Sequence, residues 1–255
     1  MNLIFDSHAH YDDKTFNSDR DSLLKKLIVN DICGLINVGA DLKTSQASID
    51  LSEKYPFIWA AVGIHPNEAD NLPCNYIDTL KSMLKKDKVV AIGEIGLDYH
   101  YEQPSKEIQK QVFENQLKLA IETSMPVIIH DRDAHGDTLE LLKKYKPKGV
   151  VHCFSGSPEM ADEIVKLGMY IGLGGVVTFK NAKNPVLVAQ KIPLDKLLLE
   201  TDCPYMAPVP LRGNRCDSSM IKYTAKKIAD LKGIEVNDLL LTTKNNTEKL
   251  FSIKV

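Results

Sequence analysis

The sequence predicts a single-domain α/β protein, a (β/α)8 TIM barrel spanning residues 1–255. Three observations predict it. Eight short β-rich runs recur along the chain, amphipathic stretches separate them, and the residues able to do chemistry gather where the runs end. A length of 255 residues is ordinary for one such barrel and buries a sizeable core without staples.

The runs are "LIF", "GLINVG", "IWAAVG", "VVAIGEIG", "PVIIH", "GVVHCFSG", "MYIGLGG" and "LLLETD". Leu23, Leu24, Leu27 and Ile28 make one helical stripe. Ile108, Val112, Phe113, Leu117, Ala120 and Ile121 make another in the longest helix, with Pro104 as its first-turn residue. "SPEMADEIVKLG" offers Ser157 as N-cap, Pro158 at the first helical position and Gly168 as a stop. Two helices split at Gly233 come after the last run, and Lys226, Lys227, Lys232, Lys244 and Lys249 give them a solvated face. No linker rich in Pro, Gly or Ser divides the chain, so the eight alternations fit a barrel better than an open doubly wound sheet.

Net charge is −2, which excludes a global basic field for nucleic acid or an acidic membrane. A polyanionic substrate then needs metals or a few arginines. Cys33, Cys74, Cys153, Cys203 and Cys216 form an odd set without paired spacing, as expected of reduced thiols in a cytoplasm. "MNLIFDSH" has no basic or long apolar segment of a signal peptide, and no run is long enough to span a membrane.

In "LIFDSHAHYD", His8 and His10 occupy alternate strand positions and point the same way. Two such imidazoles are either two teeth of a divalent-metal site or surface histidines near a terminus. The rest of the chain decides for the metal. His65 follows the third run, Glu94 ends the fourth, His130 the fifth, His152 the sixth and Asp202 the eighth. Five of the seven histidines thus fall at carboxyl ends of strands, the active-site face of a barrel. His8, His10, Glu94, His130, His152 and Asp202 exceed the needs of one tetrahedral ion, and a carboxylate bridging two metals about 3.5–4 Å apart accounts for the surplus. The N and O donors suit Zn²⁺ or Mn²⁺, with Mg²⁺ through the carboxylates. Glu94 lies in an apolar strand where an unpaired carboxylate is costly, so it needs a cation beside it. Asp202 is both ligand and candidate general base.

Around this set, His65 either contacts substrate phosphate or shapes its loop. Arg132 is placed for bidentate phosphate contact or for an ion pair with Asp131 or Asp133. Ser155 and the glycines of "FSGS" offer backbone N–H groups to an anion. Arg212 and Arg215 are further cations for substrate. Alternation turns Cys153 away from the site, Cys203 reads as a small buried thiol, and His100 and His135 read as surface residues. "GLGG" (172–175) lacks the spacing of a nucleotide fingerprint.

The segments "FDSHAHYD" (5–12), "GIHPNEA" (63–69), "AIGEIGLDY" (91–99), "PVIIHDRDA" (126–134), "VHCFSGS" (151–157) and "LLLETDCPY" (197–205) span nearly the whole chain. Through them the chain resembles the TatD family of metal-dependent deoxyribonucleases, within the wider amidohydrolase-like barrels. The resemblance implies a barrel holding two divalent ions, with His8, His10, Glu94, His130, His152 and Asp202 as ligands. It implies hydrolysis of DNA phosphodiester bonds by a two-metal-activated water, often as an exonuclease on ends or single strands. No membrane or obligate protein partner is expected. In "RGNRCDSSM" (212–220), Cys216 and Ser218 stand where the family places Asn and Pro, which opens the question of substrate preference. Two other functions compete. An amide or lactone hydrolase of the same class often bridges its metals with a carbamylated lysine, where this chain has Glu94. A non-catalytic metal scaffold does not need six ligands.

Overall fold

The computed structural model describes residues 3–255. Eight parallel strands run in sequence order, β1 (Ile4–Ala9), β2 (Ile32–Val38), β3 (Ile58–Val62), β4 (Val89–Asp98), β5 (Val127–Arg132), β6 (Gly149–Val151), β7 (Tyr170–Leu173) and β8 (Leu197–Leu199). The helices α1 (Arg20–Val29), α2 (Leu42–Lys54), α3 (Tyr76–Met83), α4 (Lys106–Thr123), α5 (His135–Tyr145), α6 (Pro158–Lys166), α7 (Lys183–Lys191) and α8 (Ile221–Lys232) alternate with them, and α9 (Val236–Phe251) closes the chain. The (β/α)8 barrel is the observed fold. No helix among the described residues is long and apolar enough to cross a membrane. All five cysteines are unpaired.

One buried cluster draws on every strand, with Phe5, Ile36, Ala61, Ala91, Ile128, Val150, Tyr170 and Leu198, and adds Val38 and Val90. Only side chains pointing inward from a closed ring of strands can meet in this way. Tyr170 is the first residue of its strand, so this cluster fills the amino-terminal end of the barrel. Phe251 and Ile253 join it and plug that end with the end of the chain. The opposite end stays open for chemistry.

Two irregularities turn candidate site residues inward. Phe5 and His8 both face the interior, as do Ala91 and Glu94, although strict alternation forbids this for residues at that spacing. The pairing register shifts between Asp6 and Ala9 in β1 and between Ile92 and Ile95 in β4. An extra residue at each shift flips the face of the residues beyond it. Glu94 therefore does not end its strand, as its position in "VVAIGEIG" suggests; β4 continues to Asp98.

The barrel closes where β1 meets β8, and side chains do much of the closing. Ala9 pairs with Cys203 in a single bridge. The Asp6 carboxylate accepts the Thr201 N–H at 3.0 Å and the Thr201 hydroxyl at 2.6 Å. Ser7 Oγ donates to the Leu199 carbonyl at 3.0 Å. Ser218, at the position where proline is expected, donates its hydroxyl to Asp6 at 2.6 Å and its N–H to the Tyr11 oxygen at 2.9 Å. Proline has neither donor. Cys216 is fully buried beside this network. The unusual loop is therefore part of the seam.

The helices follow their capping signals with one revision. Ser157 accepts the Met160 N–H ahead of α6, and Gly168 and Gly233 adopt left-handed conformations just past α6 and at the end of α8. In α1, Leu24 and Leu27 are buried and Leu23 partly so, while Ile28 is largely exposed. Pro104 does not start α4; Ser105 caps it, and Ile108 and Ile121 are exposed. The buried positions go instead to Gln109 and Gln116. Gln116 accepts the Ile64 N–H at 2.8 Å and donates to the Ile64 carbonyl at 3.0 Å. Gln109 accepts the Asp98 N–H at 2.9 Å and donates to the Asp98 carbonyl at 2.8 Å. These amides satisfy backbone groups where β3 and β4 leave the sheet. They fix the backbone beside His65 and at Asp98.

Gln109→Leu is nearly isosteric yet orphans the N–H and the carbonyl of Asp98. Each buried unsatisfied group costs about 1–3 kcal/mol, so urea unfolding should show a loss in that range or above. A loss under about 0.5 kcal/mol, the scatter of neutral surface changes, would show that water replaces the amide.

Candidate metal centre

A cavity of about 790 Å³ opens at the carboxyl ends of the strands. His10, His65, Glu94, His130, His152 and Asp202 line it, together with Asp12, Asp98, Arg132, Cys153 and Ser155. His8 lies beneath them, fully buried, its ring stacked on His152 with centroids 3.9 Å apart.

Glu94 is the centre of the arrangement. Its Oε1 lies 2.7 Å from His130 Nδ1, 2.7 Å from His152 Nε2 and 3.7 Å from His65 Nε2. Its Oε2 lies 3.4 Å from His8 Nε2 and 3.7 Å from His10 Nε2. The two carboxylate oxygens thus face different histidines, Oε2 the pair His8 and His10 and Oε1 the other three. Asp202 Oδ1 completes the first pair, 3.4 Å from His10 Nε2 and 3.8 Å from His8 Nε2. The Asp202 backbone has φ of +60°, a left-handed conformation that Asp tolerates better than most residues. Its N–H is held by the His8 carbonyl at 2.9 Å, so the seam sets the aim of its carboxylate.

The second nitrogen of each imidazole sets what the first can do. His10 Nδ1 lies 2.8 Å from the Val38 carbonyl, which fixes the proton on Nδ1 in the neutral ring and frees Nε2 as a lone pair. The Nδ1 atoms of His8 and His152 are buried without a hydrogen-bond partner. His65 is the reverse case. Its Nδ1 accepts the Asn67 N–H at 3.1 Å, so its proton sits on Nε2 and points at Glu94. Burial holds His65 neutral, with a pKa lowered to about 3. In this tautomer His65 is a donor.

Burial also opposes charge on His10 and His130, but their carboxylates outweigh it. Asp202 and Glu94 raise His10 to about 10, and Asp98 and Glu94 raise His130 to about 9. Glu94, despite burial, is held well below the ordinary carboxylate range by His152, His65, His8 and its bond to His130. The cluster as it stands balances its carboxylates with protons. His8 and His10 Nε2 lie 3.0 Å apart, and His152 Nε2 and His130 Nδ1 3.4 Å apart, each pair sharing a proton that a cation would replace. The ligand atoms of His8, His10 and Glu94, and those of Glu94, His130 and His152, each lie close enough to hold one ion. A divalent cation fits the donors present.

Other expected residues divide. Arg132 reaches the cavity; its neighbours Asp131 and Asp133 pair with His135 at 2.8 Å and His100 at 3.4 Å, and its guanidinium lies over the Tyr101 ring at 5.6 Å. Ser155 lines the cavity, whereas Arg212 and Arg215 do not. Arg212 sits 4.3 Å over the Phe179 ring, and Arg215 is held by Asp19 at 2.6 Å and packs over Phe16. Cys153 is not turned away. β6 ends at Val151, alternation stops there, and a left-handed Cys153 (φ +42°) faces the cavity.

Two carboxylates escape a reading of the sequence. Asp98 Oδ2 lies 3.2 Å from His130 Nε2, and its place at the end of β4 is the available signal. Glu200 is fully buried, accepts the Cys153 N–H, and lies 3.8 Å from His152 Nδ1. Burial raises it to about 8. A Cβ on Gly172 would fall 2.4 Å from its Oε2, so the glycine of β7 makes room for it.

A family model described as TatD related DNase matches residues 5–252. The uncharacterized metal-dependent hydrolase YabD of Bacillus subtilis (strain 168) is 41% identical over 98% of this chain and 100% of its own. A 3'-5' ssDNA/RNA exonuclease TatD of Citrobacter koseri is 31% identical over 98% of this chain and 99% of its own. The crystal structure of YJJV, a TatD homologue of Escherichia coli K12, superposes with a TM-score of 0.94 at 31% identity, covering 100% of both chains. With its barrel, its histidine–carboxylate centre and these matches along almost its entire length, the chain belongs to the TatD family of metal-dependent hydrolases.

Proposed function

We propose that the chain hydrolyses phosphodiester bonds of DNA, at ends or in single strands, using two divalent ions bridged by Glu94. The observation that carries this reading is the division of Glu94, one oxygen toward His8 and His10 and the other toward His130 and His152. Two-ion sites recur in enzymes of phosphoryl transfer. The exonuclease name of the Citrobacter koseri relative supports the same substrate class. Among the described residues no lysine lines the cavity, which argues against the carbamylated bridge expected of the amide and lactone hydrolases.

His8, His10, Asp202 and one oxygen of Glu94 would hold the first ion, and His130, His152 and the other oxygen the second. When bound, such ions supply positive charge to the phosphate oxygens and acidify water. Asp202, more open than Glu94 and held below its ordinary pKa by its bond to His10 despite burial, accepts the proton of the attacking water at its carboxylate. His65 donates a hydrogen bond from its Nε2–H to a phosphate oxygen, and Arg132 adds a guanidinium at the rim. Ser155 lies where it can orient the substrate from the β6 side.

The direct test is purified protein on end-labelled single-stranded oligonucleotides with Mg²⁺, Mn²⁺ or Zn²⁺, beside an amide and lactone panel. Nucleotide release that chelator abolishes and metal restores is expected. Turnover of the panel alone, or full activity in excess chelator with metal content nil, would overturn the proposal.

Asp202→Asn should lower turnover by roughly 10²–10⁴-fold, the usual share of a general base. Glu94→Gln should reduce bound metal below two ions per chain, measured by elemental analysis, with the fold intact by circular dichroism. Two ions retained in Glu94→Gln would refute the bridge.

The raised histidines set the pH dependence. His10 and His130 have folded pKa values near 10 and 9 against an ordinary 6.5. Their ion pairs stabilise metal-free protein fully below 6.5 and are lost as pH rises through about 9 and 10. Melting temperature of metal-free protein should therefore fall from neutral pH to about pH 10. Metal affinity should rise over the same window, because ions displace protons from these two rings. Calorimetric titration in buffers of different ionisation enthalpy should show proton release near pH 7; its absence would mean that the rings are already neutral.

A further inference from the structure

The rim of the cavity carries large apolar surface that the hydrolytic residues do not use. Tyr101 is 53% exposed, Tyr205 54% and Met206 43%, and all three line the same opening. Tyr101 follows β4 and Tyr205 follows β8, strands that lie opposite one another in a ring of eight. The two rings therefore flank the metal centre from facing sides.

Both are held in place. Arg132 lies over Tyr101 at 5.6 Å and the His100 ring meets it edge-on at 4.9 Å. Tyr205 donates its hydroxyl to Asp13 at 3.4 Å, and its N–H is bound by the Asp202 carbonyl at 2.9 Å. Met206 adopts a left-handed backbone (φ +53°), and its carbonyl lies where a Cβ on Gly175 would be, 2.1 Å away. The backbone of this loop is locked against the β7 side while its apolar side chains stay in solvent. Pre-ordered rings give up little conformational freedom when they bind.

The charge balance says what such rings are for. Proteins that hold single strands combine a basic groove with aromatic stacking. Here the groove is missing: Arg132 is the one arginine lining the cavity among the described residues, against Asp12, Asp13, Asp98 and Asp131 outside the ligand set. Affinity for a strand must then come from the bases. We propose that Tyr101 and Tyr205 are stacking platforms for the two nucleobases that flank the scissile phosphate, one on each side. The proposal rests on the nuclease reading above and adds the subsites that recognise the strand.

The test uses single-stranded oligonucleotides that are intact or carry an abasic residue on one side of the cleaved linkage, with metal-loaded protein. Tyr101→Ala and Tyr205→Ala should each raise KM for the intact strand by about 5- to 150-fold, the worth of one base stack. Tyr101→Phe should restore it, and Tyr205→Phe, which keeps the ring but loses the bond to Asp13, should restore most of it. On a strand abasic at the matching side, the alanine variant should add no further loss. With a non-hydrolysable linkage, 2-aminopurine at the flanking position should be quenched by wild type and Tyr→Phe but not by Tyr→Ala. Alanine variants within twofold of wild type would overturn the platforms. So would equal losses on intact and abasic strands, because the rings would then act only on the fold. Wild type that cuts no nucleic acid would overturn the nuclease reading and the platforms with it. Wild type that cuts intact and abasic strands alike would overturn the platforms alone.

Discussion

A buried carboxylate surrounded by five imidazoles is the constraint around which this barrel is arranged. Glu94 sits in the interior with His8, His10, His65, His130 and His152 at 2.7–3.7 Å from its oxygens. An isolated carboxylate there would cost several kcal/mol, which a neutral residue or a compensating cation avoids. Imidazoles solve this in two ways. Protonated, they pair with the carboxylates, as His10 and His130 do at neutral pH. Neutral, they offer lone pairs to a metal. A lysine would supply the charge without the second option. The same side chains therefore balance the buried carboxylate when metal is absent and would hold the metal when it is present.

The centre exists only because the barrel closes. His8 comes from the first strand, His10 from just past it and Asp202 from beyond the last, and the seam between them is short of backbone ladder. Asp6 supplies what is missing by accepting from Thr201, Ser218 and the His8 N–H. Burial lifts its pKa to about 6 even with these donors. The network thus costs desolvation and in return holds the first and last strands of the barrel in register. Ser218 takes part through its hydroxyl and Tyr11 supports it at 2.8 Å. This gives the departure from the family's Asn and Pro a structural meaning at the seam, beneath the site, and leaves the candidate ligands untouched.

The pattern of strands and helices is legible in the sequence because each strand of a parallel barrel is a short apolar run with a turn behind it. The six candidate ligand positions are legible because the carboxyl end of a strand is where a barrel keeps its chemistry. What the alternation rule misses are its own exceptions. Bulges in β1 and β4 turn His8 and Glu94 inward, and no periodicity announces a bulge. Gln109 and Gln116 escape notice on α4 because a buried amide breaks the apolar stripe while satisfying backbone that a stripe cannot see. Alternation puts Cys153 on the wrong face because β6 is too short for the rule to reach it. Arg215 reads as a free cation in sequence, yet Asp19, nearly the length of the chain away, claims it. Glu200 carries no local signal at all; it is tolerated only because Gly172 on a neighbouring strand has no side chain. Most of these misses are long-range contacts.

The distribution of charge around the cavity joins these observations. Asp12, Asp13, Glu94, Asp98, Asp131 and Asp202 line it against Arg132 and the protonated His10 and His130, so without added cations the opening stays negative and repels a phosphate. Two divalent ions would cancel most of that charge at the spot where the ligands converge, so on the proposed function substrate attraction and catalytic competence would arise in the same event. A permanently basic surface would bind polyanions whether or not the centre was filled. On the proposed function, placing most of the positive charge on exchangeable ions and leaving aromatic surface at the rim would make the cavity selective for a strand that brings both a phosphate and its bases to a loaded site.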